Sequence, residues 1–330
     1  MADHTREAIF SQETDDNEVE QMKIFITGAT GVLGRHLVPQ LVQSGHHVRG
    51  LARSDGNVEQ LRSLGAEPAR VDLFDLAALT QAVQACDAIL HLATKIPSTM
   101  KLGRRSAWVE TDHIRREGTR TVVDAALAQH VQTIIYPSIC FAYPDSGAQW
   151  IDATLDKLVV EDYYATTFAA EQEIRRFTDA GGKGIVLRMG LFYGPESPQS
   201  QDQLRFARWG IASVVGRPTA YHPFVMIEDA AQAIVAALEH APVGIYDIVE
   251  DEPPTTEELN AAMAKAVGRR RLRPLPDFLV GITMGRGIIS VMSRSQRVSN
   301  RRFKDATGWS ARYSTKSGAW DRVAQAMSSR

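Results

Sequence analysis

A glycine-rich stretch near the amino terminus constrains the fold more than any other feature. Apolar residues at 24–26 lead into three glycines, each separated from the next by two residues: Gly28, Gly31 and Gly34. The pattern of an amphipathic helix follows directly. Glycines in such a turn let the backbone approach a pyrophosphate, and the free N–H groups and dipole of the next helix favour its negative charge. The stretch therefore predicts a strand, a tight turn and a helix that bind the phosphates of a dinucleotide.

Two arginines bear on which nicotinamide dinucleotide is bound. A second strand-like run, 47–53, ends at Arg53 with no carboxylate before Asp55, and Arg35 directly follows the last glycine. At this strand end an acidic side chain binds a ribose 2′-hydroxyl, whereas arginine suits a 2′-phosphate. We expect NADP(H) to be favoured over NAD(H), with both guanidinium groups converging on one phosphate. The alternative is that both arginines are solvated surface side chains.

The composition bears on the class of partner. The chain has 330 residues, of which 44% are hydrophobic and 23% charged, and its formal net charge is −2. This balance gives no electrostatic reason to expect nucleic acid or an anionic membrane as a partner. No apolar run reaches the roughly 18 residues of a membrane span, and the amino terminus is acidic where a signal peptide is basic and apolar. We expect a cytoplasmic protein, and the scattered histidines predict no metal site.

Strand-like and helix-like segments alternate along residues 22–190. This alternation predicts an α/β fold, a doubly wound parallel (Rossmann) sheet with its ligand at the carboxyl ends of the strands. Residues 1–21 are polar and acidic, which predicts a flexible leader. Prolines interrupt shorter elements in 191–330, which predicts a smaller irregular lobe that binds substrate, with some segments returning to the Rossmann domain. The apolar stretch 278–292 is interpreted as a helix of this lobe near the pocket or, alternatively, as a mobile lid.

Seven ordered motifs span nearly the whole chain from residue 22. They are Thr-Gly-x-x-Gly-x-x-Gly at 27–34, Val-Asp-Leu at 71–73, His-Leu-Ala-Thr at 91–94, Glu-Gly-Thr-Arg at 117–120, Leu-Arg-Met-Gly-Leu-Phe-Tyr-Gly-Pro at 187–195, Pro-Phe-Val-Met-Ile-Glu-Asp-Ala-Ala at 223–231 and Thr-Gly-Trp at 307–309 with Tyr-Ser at 313–314. In the order and spacing of these motifs the chain resembles the extended short-chain dehydrogenase/reductase superfamily. This is the group of nucleotide-sugar epimerases, dehydratases and related reductases.

The resemblance implies a set of cofactor contacts. Asp72 and Leu73 would hold the adenine, and Gly190 and Leu191 would pass near the nicotinamide. The complete set, with the glycine turn, the two arginines and the end of the fourth strand, is Gly28, Thr30, Gly31, Val32, Leu33, Gly34, Arg35, Arg53, Asp72, Leu73, Leu92, Ala93, Thr94, Tyr164, Gly190 and Leu191.

The catalytic positions depart from the family pattern. The family uses a tyrosine as general acid/base and a lysine four residues later, because a phenol needs a nearby cation to lower its pKa toward neutrality. By resemblance Tyr164 takes the tyrosine position and Phe168 the lysine position, so that Tyr-x-x-x-Lys becomes Tyr-x-x-x-Phe. Shifting the register to Tyr163 places Thr167 at the lysine position instead. Neither register supplies a lysine, so ordinary hydride transfer with Tyr164 as proton donor is doubtful.

The family's serine or threonine and its asparagine are also replaced. Counting back from Tyr143 places Ile139 at the hydroxyl position, next to Ser138, and counting back from the 117–120 motif places Arg115 at the asparagine position. Lys95 directly follows the fourth-strand motif, at the same edge of the sheet. The candidate catalytic groups are therefore Tyr164, Ser138, Tyr143, Lys95 and Arg115.

Three interpretations of the function stay open at this point. The first is an NADP(H)-binding oxidoreductase or isomerase that recruits another catalytic group. The second is an enzyme that catalyses a cyclisation, an elimination or an isomerisation without net redox change, and the third is a non-catalytic NADP(H)-binding sensor or regulator. Nucleotide-sugar members usually carry an arginine where this chain has His222, which favours an apolar or aromatic small-molecule substrate. By resemblance we also expect a homodimer formed by the helices near 107–129 and 162–180.

Overall fold

A computed structural model describes residues 21–98, 101–155, 157–160, 162, 164–214, 216–274, 289–290 and 292–329. The predicted leader, apart from its last residue, lies outside the described residues. The same holds for Tyr163 and for most of the apolar stretch 278–292.

Seven parallel strands form the central sheet, in the order β3-β2-β1-β4-β5-β7-β11. In chain order the strands are β1 (Lys23–Thr27), β2 (His47–Leu51), β3 (Glu67–Ala69), β4 (Ala88–His91), β5 (Thr133–Ile139), β6 (Trp150–Ile151), β7 (Lys183–Met189), β8 (Leu191–Tyr193), β9 (Ile211–Ala212), β10 (Phe224–Met226), β11 (Gly244–Ile248), β12 (Arg273–Pro274) and β13 (Arg297–Val298). The chain reverses its winding between β1 and β4, which opens the ligand crevice of a doubly wound sheet there. The predicted fold class is confirmed.

Helices cover both faces of this sheet and also contribute to the region after residue 190. They are α1 (Val32–Gln43), α2 (Asp55–Ser63), α3 (Leu76–Ala82), α4 (Val109–His113), α5 (Thr119–Ala128), α6 (Ala165–Asp179), α7 (Pro198–Arg208), α8 (Ile227–His240), α9 (Thr256–Ala266), α10 (Arg301–Thr307) and α11 (Ala319–Ser328). The long helix expected near 107–129 is a succession of a 3₁₀ turn (Arg105–Trp108), α4, a π-helical turn (Ile114–Gly118) and α5.

Alternating side chains of β1 divide the core into two layers. Ile24 and Ile26 pack in the layer that contains α1 and α8, whereas Phe25 packs in the layer that contains α3, α5 and α6. Both layers are apolar because a parallel sheet buries its two faces, so its strands read as continuous apolar runs. The sheet is thereby fixed, and its carboxyl edge is held in place for a ligand.

A third apolar cluster lies after residue 190. Its largest members, Tyr193, Phe224 and Trp320, come from β8, β10 and α11 and stack against one another. The seventh strand of the sheet, β11, also comes from this part of the chain. The division into domains at residue 190 stays a prediction. Within the described ranges, no helix combines the length and the apolar character needed to cross a membrane.

Candidate active site and cofactor-binding site

The glycine turn forms a cradle that side chains would fill. Gly28 has φ of +72°, and a Cβ there would lie 2.7 Å from the backbone nitrogen of Ala93. A Cβ on Gly34 would lie 2.3 Å from the carbonyl oxygen of Ala29. Gly31 precedes α1 and provides no side-chain cap, and the first turn of α1 has no acidic residue. The first N–H groups of α1 are therefore available to an anion, as a dinucleotide pyrophosphate requires.

A buried histidine ties the end of β1 to the end of β4 beside this cradle. The hydroxyl of Thr27 accepts a hydrogen bond from Ala93 N (3.2 Å) and is also hydrogen-bonded to His91 Nδ1 (2.6 Å). His91 Nε2 is hydrogen-bonded to the hydroxyl of Thr119 (3.1 Å). Burial lowers the pKa of His91 to about 4, so the ring is neutral. Its role in this arrangement is to hold the two strand ends that border the crevice.

Other predicted cofactor residues lie at the ends of β3 and β7. Leu73 is buried under the π-helical turn, where a Cβ on Gly118 would lie 2.8 Å from its side chain. Asp72 is exposed, and its carboxylate accepts a hydrogen bond from Phe74 N (3.0 Å). Gly190 is buried directly after β7, and its N–H donates to the carbonyl of Ile248 (2.9 Å). These residues line the same carboxyl edge as the glycine turn, because all the strands are parallel.

Three charged side chains meet at this edge. Arg53, which follows β2, lies 3.6 Å from Glu110 of α4, and Lys95, which follows β4, donates a hydrogen bond to the same carboxylate. The hydrogen bond from Lys95 is the main cause that lowers the pKa of Glu110. Arg35 is exposed and makes no ion pair with a described residue, so its convergence with Arg53 stays a prediction. The structure thus joins Lys95, a predicted catalytic group, to an arginine predicted to bind the cofactor.

Three of the four residues aligned with the family's catalytic groups lie in one apolar cluster, which we call the aromatic corner. Tyr164 is the N-cap of α6 and is 7% exposed. Its ring makes edge contacts with Trp108 (5.8 Å between centroids) and Phe141 (6.1 Å). The partly buried members of the corner are Leu102, Ile139, Phe141, Phe168 and Met292. The fold therefore brings together Ile139, Tyr164 and Phe168, and it surrounds the phenol with apolar side chains.

The other two hydroxyl candidates belong to a buried polar network. Ser138 is buried and donates to Glu171, because at the end of β5 it faces away from its neighbour Ile139. Tyr143 is fully buried, donates to Asp247 (2.8 Å) and accepts from Arg188 (3.1 Å). Burial raises the pKa of Tyr143 far above its ordinary value, so this phenol stays protonated. The structure places both hydroxyls behind the aromatic corner as positioning groups.

An ion pair lies at the centre of this network. Arg188 of β7 and Glu171 of α6 are 5% and 9% exposed and form two hydrogen bonds, 3.1 Å and 2.9 Å long. The Arg188 guanidinium also lies 5.9 Å from the centroid of the Phe168 ring. Burial raises the pKa of Asp247 to about 7, and one oxygen of this carboxyl has no hydrogen-bond partner. The network fixes α6, which carries Tyr164 and Phe168, against the sheet.

Arg115 is the remaining candidate, and its surroundings are unusual for a cation. It lies in the π-helical turn and is 6% exposed, and its Nη1 atom is buried without a hydrogen-bond partner. No carboxylate of the described ranges pairs with it. Its positive charge acts on Tyr136, whose pKa burial nevertheless raises to about 12. Buried guanidinium groups normally need an anion, and π-helical turns are frequent at functional sites, so Arg115 stays a predicted functional residue.

Sequence reasoning missed Glu110, Glu171 and Arg188 as members of the site. The sequence offered a reason to consider Arg188 and Glu171, since both lie inside stretches that carry the family resemblance. Glu110 carries no such signal, because its role depends on helix α4 meeting two strand ends that are distant in sequence. No group of three or more histidine, cysteine, aspartate or glutamate side chains suited to a metal occurs in the part of the chain that the structure describes.

Comparison with known proteins agrees with this geometry. A model of the NAD dependent epimerase/dehydratase family matches residues 24–248. The chain belongs to this family. As a member of the epimerase/dehydratase family, it has a Rossmann sheet and a site for a nicotinamide cofactor.

Two curated relatives of this family member are reductases. A 3-diazoavenalumate denitrifying reductase of Streptomyces is 29% identical over 299 residues, which are 87% of this chain and 95% of the relative. A 2-alkyl-3-oxoalkanoate reductase of Stenotrophomonas maltophilia is 29% identical over 279 residues, 80% of this chain and 81% of the relative.

Solved structures of the epimerase/dehydratase family share the fold. The human epimerase family protein SDR39U1, crystallised with NADPH, superposes with a TM-score of 0.74 at 22% identity and covers 92% of this chain and 99% of its own. This likeness supports the architecture of the cofactor side.

Proposed function

We propose that this protein is an NADPH-dependent reductase that transfers hydride to an aromatic small molecule. None of its own side chains serves as a proton donor in this reaction. The substrate class is an aryl diazo compound. The observation that carries the proposal is the aromatic corner: Ile139 and Phe168 share one cluster with Tyr164, at the positions where the family places a hydroxyl and a lysine. The cofactor side, in contrast, retains its phosphate cradle.

Residues of this chain fit NADP(H) on the cofactor side. The N–H groups at the start of α1 receive the pyrophosphate, and Arg53 receives the 2′-phosphate. A related structure holds NADPH. When bound, NADPH supplies the hydride. The preference for NADP(H) over NAD(H) is part of the proposal.

The aromatic corner does not support proton transfer. A tyrosine acts as a base or acid near pH 7 only when a neighbouring cation lowers its pKa, and the apolar Phe168 lies in the same cluster as Tyr164 where the family has its lysine. The buried cation Arg188 is paired with Glu171 and does not replace the lysine. Reactions that depend on the protein for a proton are therefore disfavoured, and reactions that need hydride alone are favoured.

Loss of nitrogen from an aryl diazonium group is such a reaction. The electron pair of the hydride forms a new C–H bond, the C–N bond breaks, and its electron pair leaves with N₂, so that Ar–N₂⁺ and hydride give Ar–H and N₂. No proton is consumed. The name of the Streptomyces relative denotes a diazo substrate, a loss of nitrogen and a reduction. Phe141 and Phe168, which are only partly buried, offer ring surface to an aromatic substrate.

His222 argues against a nucleotide sugar. It takes the place of an arginine that would hold the substrate pyrophosphate. The ring is 3% exposed and is hydrogen-bonded to the hydroxyl of Thr256 (2.7 Å). Burial lowers its pKa to about 4, so it is neutral at pH 7 and provides no positive charge for a pyrophosphate.

Reduction of a ketone is the second candidate, and the 3-oxoalkanoate reductase among the relatives favours it. In that reaction the product oxygen needs a proton, and Tyr164 is the group closest to the family's donor position.

A homodimer through α4, α5 and α6 is part of either proposal. Val109, which is 63% exposed, lies beside a surface depression between α4 and the start of α6.

The test measures NADPH oxidation with an aryl diazonium salt and with the matching aryl ketone, using wild type and Tyr164→Phe. We expect arene and N₂ from the diazonium salt, with deuterium in the arene when the transferred hydrogen of NADPH is deuterium. The variant should retain this rate within about threefold, because a catalytic proton donor is worth about a hundredfold or more. Turnover of the ketone alone, lost in Tyr164→Phe, would replace this proposal with ketone reduction.

A further inference from the structure

The meeting of Arg53, Glu110 and Lys95 has a geometry that points to a ligand. The sheet order places β1 between β2 and β4, so Arg53 and Lys95 come from the two strands that flank the glycine turn. Glu110 contacts both cations with its two different oxygens, Oε1 for Arg53 and Oε2 for Lys95. A guanidinium and an ammonium group that reach the two oxygens of one carboxylate also reach two oxygens of one phosphate, whose spacing is similar.

The position of Lys95 is fixed by the fold rather than by this surface ion pair. Its carbonyl oxygen accepts a hydrogen bond from the hydroxyl of Thr111, which is fully buried in α4 next to Glu110. The Lys95 side chain itself is 60% exposed, and that of Arg53 is 66% exposed. Both cations are thus open to solvent, while the backbone that carries Lys95 is held against the helix that carries the carboxylate.

The net charge of the cluster formed by Arg53, Glu110 and Lys95 changes when a phosphate binds. Two cations share one carboxylate, so the cluster carries one net positive charge. A phosphate monoester carries close to two negative charges at neutral pH and neutralises both cations, whereas it is repelled by Glu110. The carboxylate therefore competes with a phosphate for the same two partners.

We propose that Lys95 is the second ligand of the 2′-phosphate of NADP(H), beside Arg53, and that Glu110 occupies this subsite in the free protein and is displaced on binding. The assignment rests on the proposed NADP(H) preference. It changes the role of Lys95 from a candidate catalytic group to a residue that determines cofactor specificity. It also makes Glu110 a residue that weakens NADP(H) binding.

The test is titration of the purified protein with NADPH, with NADH and with adenosine 2′,5′-bisphosphate by calorimetry. We expect Lys95→Met to raise the Kd for NADPH and for the bisphosphate about tenfold, and Glu110→Gln to lower both about threefold. The Kd for NADH should stay unchanged in both variants. These opposite signs are the signature of displacement, because loss of a merely structural ion pair would weaken binding in both variants.

Glu117→Gln serves as the matched control, since Glu117 is an exposed carboxylate on the same helical segment, paired with Arg120 at 3.6 Å. It should leave all three Kd values unchanged. Equal effects of Lys95→Met on NADPH and NADH, or weaker NADPH binding in Glu110→Gln, would overturn the assignment while the reductase proposal stands. Absence of any nicotinamide binding by wild type would overturn both. Because all three groups are exposed, the effect of Lys95→Met should also shrink at high salt.

Discussion

The two halves of the crevice, the cofactor side and the aromatic corner, are built from different parts of their residues. On the cofactor side the backbone forms the candidate site, with glycines that let neighbouring backbone segments pack closely and helix N–H groups that have no side-chain cap. In the aromatic corner side chains form the site, and a buried ion-pair network behind them holds α6 in place. Backbone geometry tolerates little change in sequence, whereas side chains at a fixed position are readily exchanged. In this member of the family the glycine turn is present, whereas Ile139 and Phe168 occupy positions where the resemblance implies a hydroxyl residue and a lysine.

The largest effect is expected for Gly34→Ala on the cofactor side. The new Cβ would lie 2.3 Å from the Ala29 carbonyl oxygen, and backbone atoms cannot move aside. We expect a loss of about 2 kcal/mol or more in the free energy of unfolding, and at least a hundredfold weaker NADPH binding. Urea unfolding and calorimetry measure the two quantities.

Gly56→Ala is the matched control for this prediction. Gly56 also lies in the first turn of a helix, α2, but its Cβ would meet only the Ser54 hydroxyl oxygen at 4.0 Å. We expect unchanged binding and a stability equal to wild type or higher by about 0.5 kcal/mol. Wild-type NADPH affinity in Gly34→Ala would show that the cradle does not bind the cofactor.

Glu171→Gln tests the support of the aromatic corner. The change leaves the buried Arg188 guanidinium without a counter-charge, which we expect to cost about 3–5 kcal/mol in the free energy of unfolding. Arg175→Gln is the control, because its pair with Asp179 on the same helix spans 3.9 Å and both side chains are more than 70% exposed. It should change stability by less than about 0.5 kcal/mol. Similar small losses in both variants would contradict a structural role for the buried pair.

Asp247→Asn distinguishes the two halves by the sign of their pH dependence. The folded-state pKa of Asp247 is about 7, above its ordinary value of 3.8, so its contribution to stability is present below pH 4 and is lost as the pH rises through 7. His91 acts in the opposite sense, because its folded pKa of about 4 lies below the ordinary 6.5. Its contribution is present above pH 6.5 and is lost as the pH falls toward 4.

The difference in stability between wild type and Asp247→Asn isolates the carboxyl, because His91 is common to both. We expect this difference to shift in favour of the variant by up to about 1.4 kcal/mol per pH unit between pH 4 and 7, the limit for one proton. Urea unfolding at intervals of pH measures it. A difference that does not change with pH would mean that Asp247 titrates near its ordinary value in the folded protein.

Much of the architecture follows from local patterns. The glycine spacing and the alternation of apolar segments predicted the first strand, turn and helix and a doubly wound parallel sheet along residues 22–190. They did not predict the π-helical turn within the helix expected at 107–129, because a π turn depends on what packs against it rather than on helix propensity. The face on which Ser138 and Ile139 lie was also open, since neighbouring residues of a strand point to opposite sides.

The sequence by itself determined the doubly wound sheet, the phosphate cradle and the absence of a lysine from the catalytic stretch. These depend on residue identity and on short spacings, for which chain order is sufficient. Only the tertiary structure decided that Tyr164, Ile139 and Phe168 share one apolar corner, that Ser138 and Tyr143 support it from behind, and that Lys95 and Arg53 meet at Glu110. The physical reason is that each of these contacts joins segments that are distant in sequence, so that the packing of helices on the sheet determines which side chains meet.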